Sequence, residues 1–208
     1  MKKSLFTIGH STHPIHYFIA LLKAYEITAV CDVRSGPYSR MNPQFNREDL
    51  KKALRENRIS YVFMGKELGA RSDDLCCYVH GKVQYDLLAQ TELFQHGLSR
   101  IQAGIEKYRI TLMCAEKDPL DCHRTILVSR YLEEKLDLEV QHILANGQLE
   151  KHSDTMDRLL YNLKLPSQDI FRTHDVVLAD ACRIQGQKIA YTLNEQSQGK
   201  VERWAAPV

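Results

Sequence analysis

The chain has 208 residues, of which 44% are hydrophobic and 26% are charged, and its formal net charge is +2. These proportions are ordinary for a globular protein, and they exclude disordered and fibrous classes. The length is sufficient for a good core in roughly one to two domains. The nearly balanced charge neither favours nor excludes a nucleic-acid partner, because a small basic patch fits within a balanced total.

The amino terminus and the cysteines indicate the compartment. Basic residues precede an apolar run at the start of the chain, but the run ends at Gly9 and is too short for the hydrophobic region of a signal peptide. The six cysteines, of which Cys76 and Cys77 are adjacent, lack the pattern of a disulfide framework. No stretch is long enough to span a membrane. We therefore expect a cytoplasmic protein with free thiols and no membrane partner.

Apolar runs alternate with helical patterns along the chain. In order, the patterns predict a strand at 5–8, a helix containing 18–25, a strand at 27–33, a helix at 47–57, a strand at 59–64, helices at 85–94 and 99–108, a strand at 109–113, a helix at 125–132, a strand at 138–144 and a helix at 154–163. Residues 72–82 have no clear period and predict a long loop.

This alternation predicts a three-layer α/β fold, with a mostly parallel sheet of about five strands and flanking helices, over residues 1–165. Residues 166–208 are polar apart from short apolar stretches at 176–179 and 189–191. They predict a C-terminal appendage that packs on the domain or extends from it.

Four polar loops follow predicted strands, at 9–11, 32–34, 69–71 and 114–124. Ligands of open α/β sheets bind outside the carboxyl ends of the strands, so we expect these loops to converge on one cleft. The candidate catalytic residues are Cys122, His123, Cys114, His10 and Glu116. The candidate ligand-binding residues are Ser11, Asp32, Arg34, Arg71, Lys117 and Arg124.

The loop at 114–124 contains most of the candidate catalytic residues. Asp118 and Pro119 predict a turn, and Asp118 or Asp121 can cap the helix that follows. The positive end of that helix favours an anion or a thiolate, so Cys122 becomes a candidate nucleophile with His123 as its base. Cys114 ends a buried strand, and a small packing residue is the competing interpretation there.

Two alternatives remain for this loop. Cys114 and Cys122, eight positions apart, could close around a metal with His123 or His10, but the paired spacing of structural zinc sites is absent and no metal is predicted. In phosphatase-like loops an arginine follows the cysteine by about six residues, whereas here that residue is Leu120.

Arginines and lysines end several of the same strands. Arg34, Arg71 and Arg124, with Lys66 and Lys117, could clamp a phosphate or carboxylate group. The alternative is a structural cluster in which Asp32 and Glu116 hold the arginines by salt bridges.

Several ordered motifs carry a resemblance to a known family. They are Thr7-Ile8-Gly9-His10-Ser11, Asp32-Val33-Arg34 with Pro37 and Ser39, Leu68-Gly69 with Arg71, and Cys114-Ala115-Glu116 followed by Cys122-His123-Arg124. Over about residues 5–145 the chain resembles domain-of-unknown-function family 488 (DUF488). The resemblance implies a compact bacterial or archaeal α/β protein and supplies no reaction. One departure is Ala70, where the family usually has a second glycine.

Three functional hypotheses follow. The preferred one is an enzyme or ligand-binding domain that acts on a phosphate-bearing small molecule, a nucleotide or a nucleic-acid end. The alternatives are a non-catalytic nucleic-acid-binding module and a metal- or redox-sensing regulator. The sequence identifies no cofactor and no oligomeric state.

Overall fold

The computed structural model of the protein describes residues 3–136, 138–166 and 171–193. Its strands are β1 (Ser4–Gly9), β2 (Ala29–Asp32), β3 (Ser60–Phe63), β4 (Tyr78–Val79), β5 (Lys82–Val83), β6 (Ile110–Cys114), β7 (Glu139–Ile143) and β8 (Leu149–Lys151). Its α-helices are α1 (Ile15–Ala24), α2 (Arg47–Glu56), α3 (Tyr85–Gln90), α4 (Glu92–Gly104), α5 (Arg130–Leu136), α6 (His152–Leu163) and α7 (His174–Ile189). Short 3₁₀ turns lie at Pro43–Phe45, Leu75–Cys77 and Pro119–Asp121, and a π-helical segment lies at Arg124–Ser129.

Six strands form the main sheet, in the order β3-β2-β6-β1-β7-β8. Five of them are parallel, and β8 pairs antiparallel with β7 at one edge. The central strands β2 and β6 are buried along their whole length, as parallel strands covered on both faces are. The predicted mostly parallel α/β sheet is confirmed. Within this sheet, the short β8 is the strand that the sequence pattern did not indicate.

Helices cover both faces of the sheet, which confirms the predicted three-layer arrangement. On one face, α1 and α2 pack against side chains such as Phe6 and Ile8 of β1. On the other, α3, α4 and α5 pack against Leu5 of β1 and Leu112 of β6. Because side chains alternate along a strand, the same strand supplies both cores.

The structure differs from the prediction between residues 72 and 108. The helices predicted at 85–94 and 99–108 are instead α3 and α4, because the Thr91 hydroxyl accepts the amide N–H of Phe94 at 3.2 Å and starts a new helix there. The predicted loop at 72–82 contains a 3₁₀ turn and a small hairpin of β4 and β5. His80 and Gly81 connect these strands with positive φ angles of 49° and 73°, the geometry of a tight two-residue turn.

Of the two apolar stretches near the C-terminus, the one at 176–179 lies within α7, and the one at 189–191 begins at the last residue of that helix. Val177, Ala181 and Cys182 of this helix are buried in a third cluster that includes Leu120 and Ile126. The described part of the predicted appendage therefore packs on the α/β domain. The rest of it, at 167–170 and 194–208, lies outside the described residues.

Within the described ranges, no helix has both the length and the apolar character that crossing a membrane requires.

Candidate functional site

The loops after the central strands remain paired beyond the strand ends. The amide of His10 donates to the carbonyl of Cys114, and that of Ser11 to the carbonyl of Ala115, both at 2.9 Å. On the other side of β6, the amide of Val33 donates to the carbonyl of Met113 at 3.1 Å. The loops that follow β1 and β2 are thus held on either side of the loop that follows β6.

The loop at 114–124 is shaped by Asp118. Its carboxylate accepts the amide N–H of Leu120 at 2.9 Å and forms a bidentate ion pair with Arg158 at 2.9 and 3.0 Å. The turn therefore begins where the sequence predicts, but it is a 3₁₀ turn. The helix predicted at 125–132 is also different, because the chain first forms the π-helical segment and only then α5.

A cleft of about 260 Å³ opens at this edge of the sheet. Its wall contains the end of β6, residues from the loops after β2, β3 and β6, a residue of α3, and the end of α7 with the segment after it. The lining residues are Arg34, Ser35, Gly36, Ala70, Arg71, Tyr85, Cys114, Ala115, Glu116, Asp121, His123, Ile189 and Tyr191.

Cys114, Cys122 and His123 form a sulfur–imidazole cluster at the base of this cleft. The Nδ1 atom of His123 lies 3.9 Å from the Sγ atoms of both cysteines. The three atoms all lie within 4.8 Å of one another. The Nε2 atom of His123 is 3.2 Å from the carbonyl oxygen of Val33, which can only accept, so Nε2 carries a proton. Nδ1 is therefore the atom that faces the sulfurs.

The two thiols of the cluster are unequal. Burial disfavours a thiolate at Cys122, but a hydrogen bond from Cys114 and the charges of Arg124 and His123 outweigh it and hold the pKa of Cys122 well below its usual value. Its sulfur also accepts the backbone N–H of Arg124 at 3.4 Å. The hydrogen bond to Cys122, together with burial, raises the pKa of Cys114. Within this pair the thiolate is therefore favoured at Cys122 and the neutral thiol at Cys114.

The charge of Arg124 is fully buried beside this cluster. Its Nη1 donates to the carbonyl of Glu116 at 3.0 Å and its Nε to the hydroxyl of Thr7 at 3.4 Å, while Nη2 has no hydrogen-bond partner. In the part of the chain that the structure describes, no carboxylate forms an ion pair with it. Because the buried guanidinium favours a negative charge nearby, it lowers the pKa of Cys122.

Arg34 is fixed from several sides. Its Nε and Nη2 donate to the two carboxylate oxygens of Asp32 at 2.9 and 2.6 Å, and Nη2 also donates to the carbonyl of Phe45. Its Nη1 donates to Nε2 of His10 at 3.2 Å, and Nδ1 of His10 donates to the carbonyl of Ser11 at 2.8 Å. Burial lowers the pKa of His10 to about 4, so this ring is neutral. Its Nε2 atom accepts from Arg34 and helps to fix the orientation of the guanidinium.

Arg71 is the exposed cation of the cleft. Its guanidinium lies 4.4 Å from the centre of the Tyr191 ring, a cation–π contact. The backbone N–H of Arg71 donates to the Ser35 hydroxyl at 3.0 Å. Among the described residues no acidic side chain pairs with it, so its charge is available to a ligand.

The structure does not place every candidate residue in the cleft wall. Arg34, Arg71, Cys114, Glu116 and His123 line it. His10, Asp32, Cys122 and Arg124 lie behind these residues, and Ser11 contacts the site only through its backbone. Lys117 lines a separate cavity with Asp118 and Arg158, and Lys66 lines a groove next to the cleft.

Sequence reasoning missed Tyr85, Asp121 and Tyr191 in the cleft wall. The stretch at 189–191 was visible as an apolar segment in a polar tail. Nothing in its local pattern indicated that it returns to the sheet edge, since that contact depends on how α7 packs.

The fold and the cleft define a three-layer α/β protein with a sulfur–imidazole cluster at the carboxyl edge of a parallel sheet. The family model described as Domain of unknown function DUF488 matches residues 14–131, which is more than half of the 208-residue chain. The protein belongs to this family, and the resemblance is confirmed. Comparisons with curated proteins and with solved structures gave no match.

Proposed function

We propose that the protein is an enzyme that acts on a phosphate-bearing small molecule or nucleotide bound in the cleft. The observation that carries this proposal is the position of Arg71, a cation without an acidic partner among the described residues, on the same cleft as the sulfur–imidazole cluster. Arg71 and Arg34 bind the anionic group, and the cluster supplies the reactive centre.

Two features support recognition of an anion. Arg34 is held rigidly by Asp32, and a guanidinium that is already oriented loses little entropy when it binds a phosphate. A second cavity, of about 900 Å³, shares Ser35, Gly36 and Arg71 with the cleft. It offers space beyond Arg71 for the remainder of a nucleotide-sized molecule.

The cluster favours catalysis over simple binding. A cysteine whose thiolate is favoured and an imidazole lie close together, and the carboxylate of Glu116 lines the same cleft. Desolvation raises the pKa of Glu116. Perturbed titratable groups that gather in a cleft are typical of reactive sites.

A binding experiment on the reduced protein tests the proposal. Inorganic phosphate and adenosine monophosphate are titrated by calorimetry into the wild type, Arg71→Gln and the control Arg55→Gln, which makes the same charge change on the exposed end of α2. We expect Arg71→Gln to weaken binding about tenfold or more, because a charge-assisted hydrogen bond contributes about 1.5–3 kcal/mol. The control should bind as the wild type does.

Activity provides the second part of the test. The wild type and His123→Gln are incubated with a panel of nucleoside mono- and diphosphates, and products are detected by mass spectrometry. We expect turnover by the wild type only. Equal phosphate affinity in Arg71→Gln and the wild type would contradict the anion site, and a panel without any turnover would contradict the enzyme.

A further inference from the structure

We propose that Cys114, Cys122 and His123 are the ligands of a zinc ion whose fourth coordination position faces the cleft. The zinc site itself stands on the geometry of these three residues, while the role of the ion in catalysis rests on the proposed function.

The distances suit a metal. With a Zn–S bond of about 2.3 Å and a Zn–N bond of about 2.0 Å, tetrahedral geometry places sulfur and nitrogen about 3.5 Å apart. The observed separations of Nδ1 from the two Sγ atoms are both 3.9 Å. A contraction of a few tenths of an ångström brings Nδ1 to the metal-site separation from each sulfur, and all three donor atoms already lie within 4.8 Å of one another.

The orientation of His123 is the independent observation. Its Nε2–H donates to the carbonyl of Val33, so Nδ1 is the ring atom directed at the sulfurs, and it binds the ion in the neutral form of the ring. A histidine that binds a metal through one nitrogen typically donates its other N–H to a carbonyl or carboxylate, which fixes the tautomer and the ring plane. The backbone of β2 thus supplies the outer partner of the site.

The charge of the surroundings also suits this site. Two thiolates and one neutral imidazole around a divalent ion sum to zero, so the cluster can remain buried at small electrostatic cost. Arg124 then lies beside sulfur atoms that retain partial negative charge.

The open position determines the type of site. Structural zinc sites have four protein ligands, whereas catalytic sites have three and keep a water or substrate in the fourth position. Among the described residues only these three donor atoms come together. Because Cys114 and His123 line the cleft, the fourth position opens toward it, next to Glu116. Zinc lowers the pKa of such a bound water to about 7, which points to a hydrolytic reaction.

Metal binding is measured directly on the full chain, purified under reducing conditions without a metal-binding tag. We expect about one zinc per chain by mass spectrometry of the metal content. After removal of the zinc, titration with Co²⁺ should give the intense visible bands of a tetrahedral site and sulfur-to-cobalt charge transfer in the near ultraviolet.

Matched variants locate the ligands. Cys114→Ser and Cys122→Ser should each lose about half of the charge-transfer intensity and weaken metal binding more than about 100-fold, since even second-shell changes cost 10–100-fold. The controls Cys31→Ser and Cys182→Ser alter cysteines that are also buried but lie outside the cluster. They should bind metal as the wild type does.

Several outcomes would overturn the site. These are absence of metal together with a mass loss that reports a Cys114–Cys122 disulfide, cobalt bands without sulfur charge transfer, and unchanged metal binding in both serine variants. The wild-type spectrum decides the matter even where a variant fails to fold. The two proposals also fail separately, because Arg71→Gln should leave metal binding unchanged and phosphate binding is measured with and without zinc.

Discussion

At the scale of single residues, Gly9 shows how closely the backbone segments of the site approach one another. A Cβ atom placed on Gly9 would lie 1.8 Å from the carbonyl oxygen of Glu116 and 3.3 Å from Nη2 of Arg124. The requirement here is space rather than an unusual φ angle. Only glycine lets the end of β1 and the loop after β6 lie close enough for Arg124 to reach the Glu116 carbonyl.

The change Gly9→Ala should therefore destabilise the protein. The backbone oxygen of Glu116 cannot move as a flexible side chain does, so we expect the free energy of unfolding to fall by at least about 2 kcal/mol, as in overpacked cores. Urea denaturation followed by circular dichroism measures this. Gly36→Ala is the control, because a Cβ there meets no atom within 4 Å. Equal stability of the two variants would refute the close-packing argument.

Single residues also explain why the cluster was only partly predictable. The sequence indicated the reactive groups, since Cys114, Cys122 and His123 stand in one short loop after a strand. It did not indicate which nitrogen of His123 faces the sulfurs, because that depends on the carbonyl of Val33, far away in the chain. Sequence patterns for zinc sites give the spacing of the ligands along the chain. They do not include the groups that hydrogen-bond to those ligands, such as the carbonyl of Val33.

At the scale of elements, α7 connects the C-terminal segment to the site. Nε2 of its buried Gln185 donates to the carbonyl of Leu120 at 2.9 Å, within the turn that precedes Cys122. Its end leads to Ile189 and Tyr191, which line the cleft. The helix thus stabilises the loop at 114–124 through this hydrogen bond, and its C-terminal end forms part of the cleft wall.

Neighbouring valines on α7 test this packing. Val177 is fully buried against the cluster that includes Leu120, whereas Val176 is 48% exposed. We expect Val177→Ala to lower the free energy of unfolding by about 1–3 kcal/mol, because removing buried methyl groups leaves a cavity. Val176→Ala should change it by less than about 0.5 kcal/mol. Thermal and urea unfolding of both variants measure the difference. An equal loss of unfolding free energy in the two variants would mean that α7 does not pack as described.

The sequence predicted the long elements better than the short ones. The strands of the parallel sheet are recognisable because they are short runs rich in apolar and β-branched residues, and their predicted ranges overlap β1, β2, β3, β6 and β7. The two-residue strands β4 and β5 are too short to show a period. The π-helical segment has the same apolar spacing as an α-helix, so a pattern of hydrophobic residues cannot distinguish the two.

At the scale of the whole molecule, a line of buried polar groups runs from the site across the sheet. The Thr7 hydroxyl, which accepts from Arg124, is 2.7 Å from Nδ1 of His142, and Nε2 of His142 is 3.0 Å from Nδ1 of His152. These side chains come from β1, β7 and α6. The alternation of strands and helices predicted that the strand ends lie at one edge of the sheet. It did not predict the contacts between Thr7, His142 and His152, because no local sequence pattern links residues from such distant parts of the chain.

The buried histidines make stability dependent on pH. Burial lowers the pKa of His152 from 6.5 to about 4, and burial also lowers that of His142. A histidine with a depressed pKa in the folded state binds its proton more readily when the chain is unfolded. Its contribution is therefore complete above the unfolded pKa of 6.5 and is lost as the pH falls toward 4.

This gives a quantitative expectation for one residue. Between pH 7 and pH 5, protonation of the unfolded chain at His152 should reduce the free energy of unfolding by about 2 kcal/mol. In His152→Asn that part of the loss should disappear, so the variant is less sensitive to this pH change than the wild type, whatever its stability at pH 7. The control His16→Asn alters an exposed histidine and should keep the wild-type dependence. Urea unfolding at both pH values measures the difference. An unchanged pH dependence in His152→Asn would show that folding does not lower the pKa of this ring and would contradict the prediction.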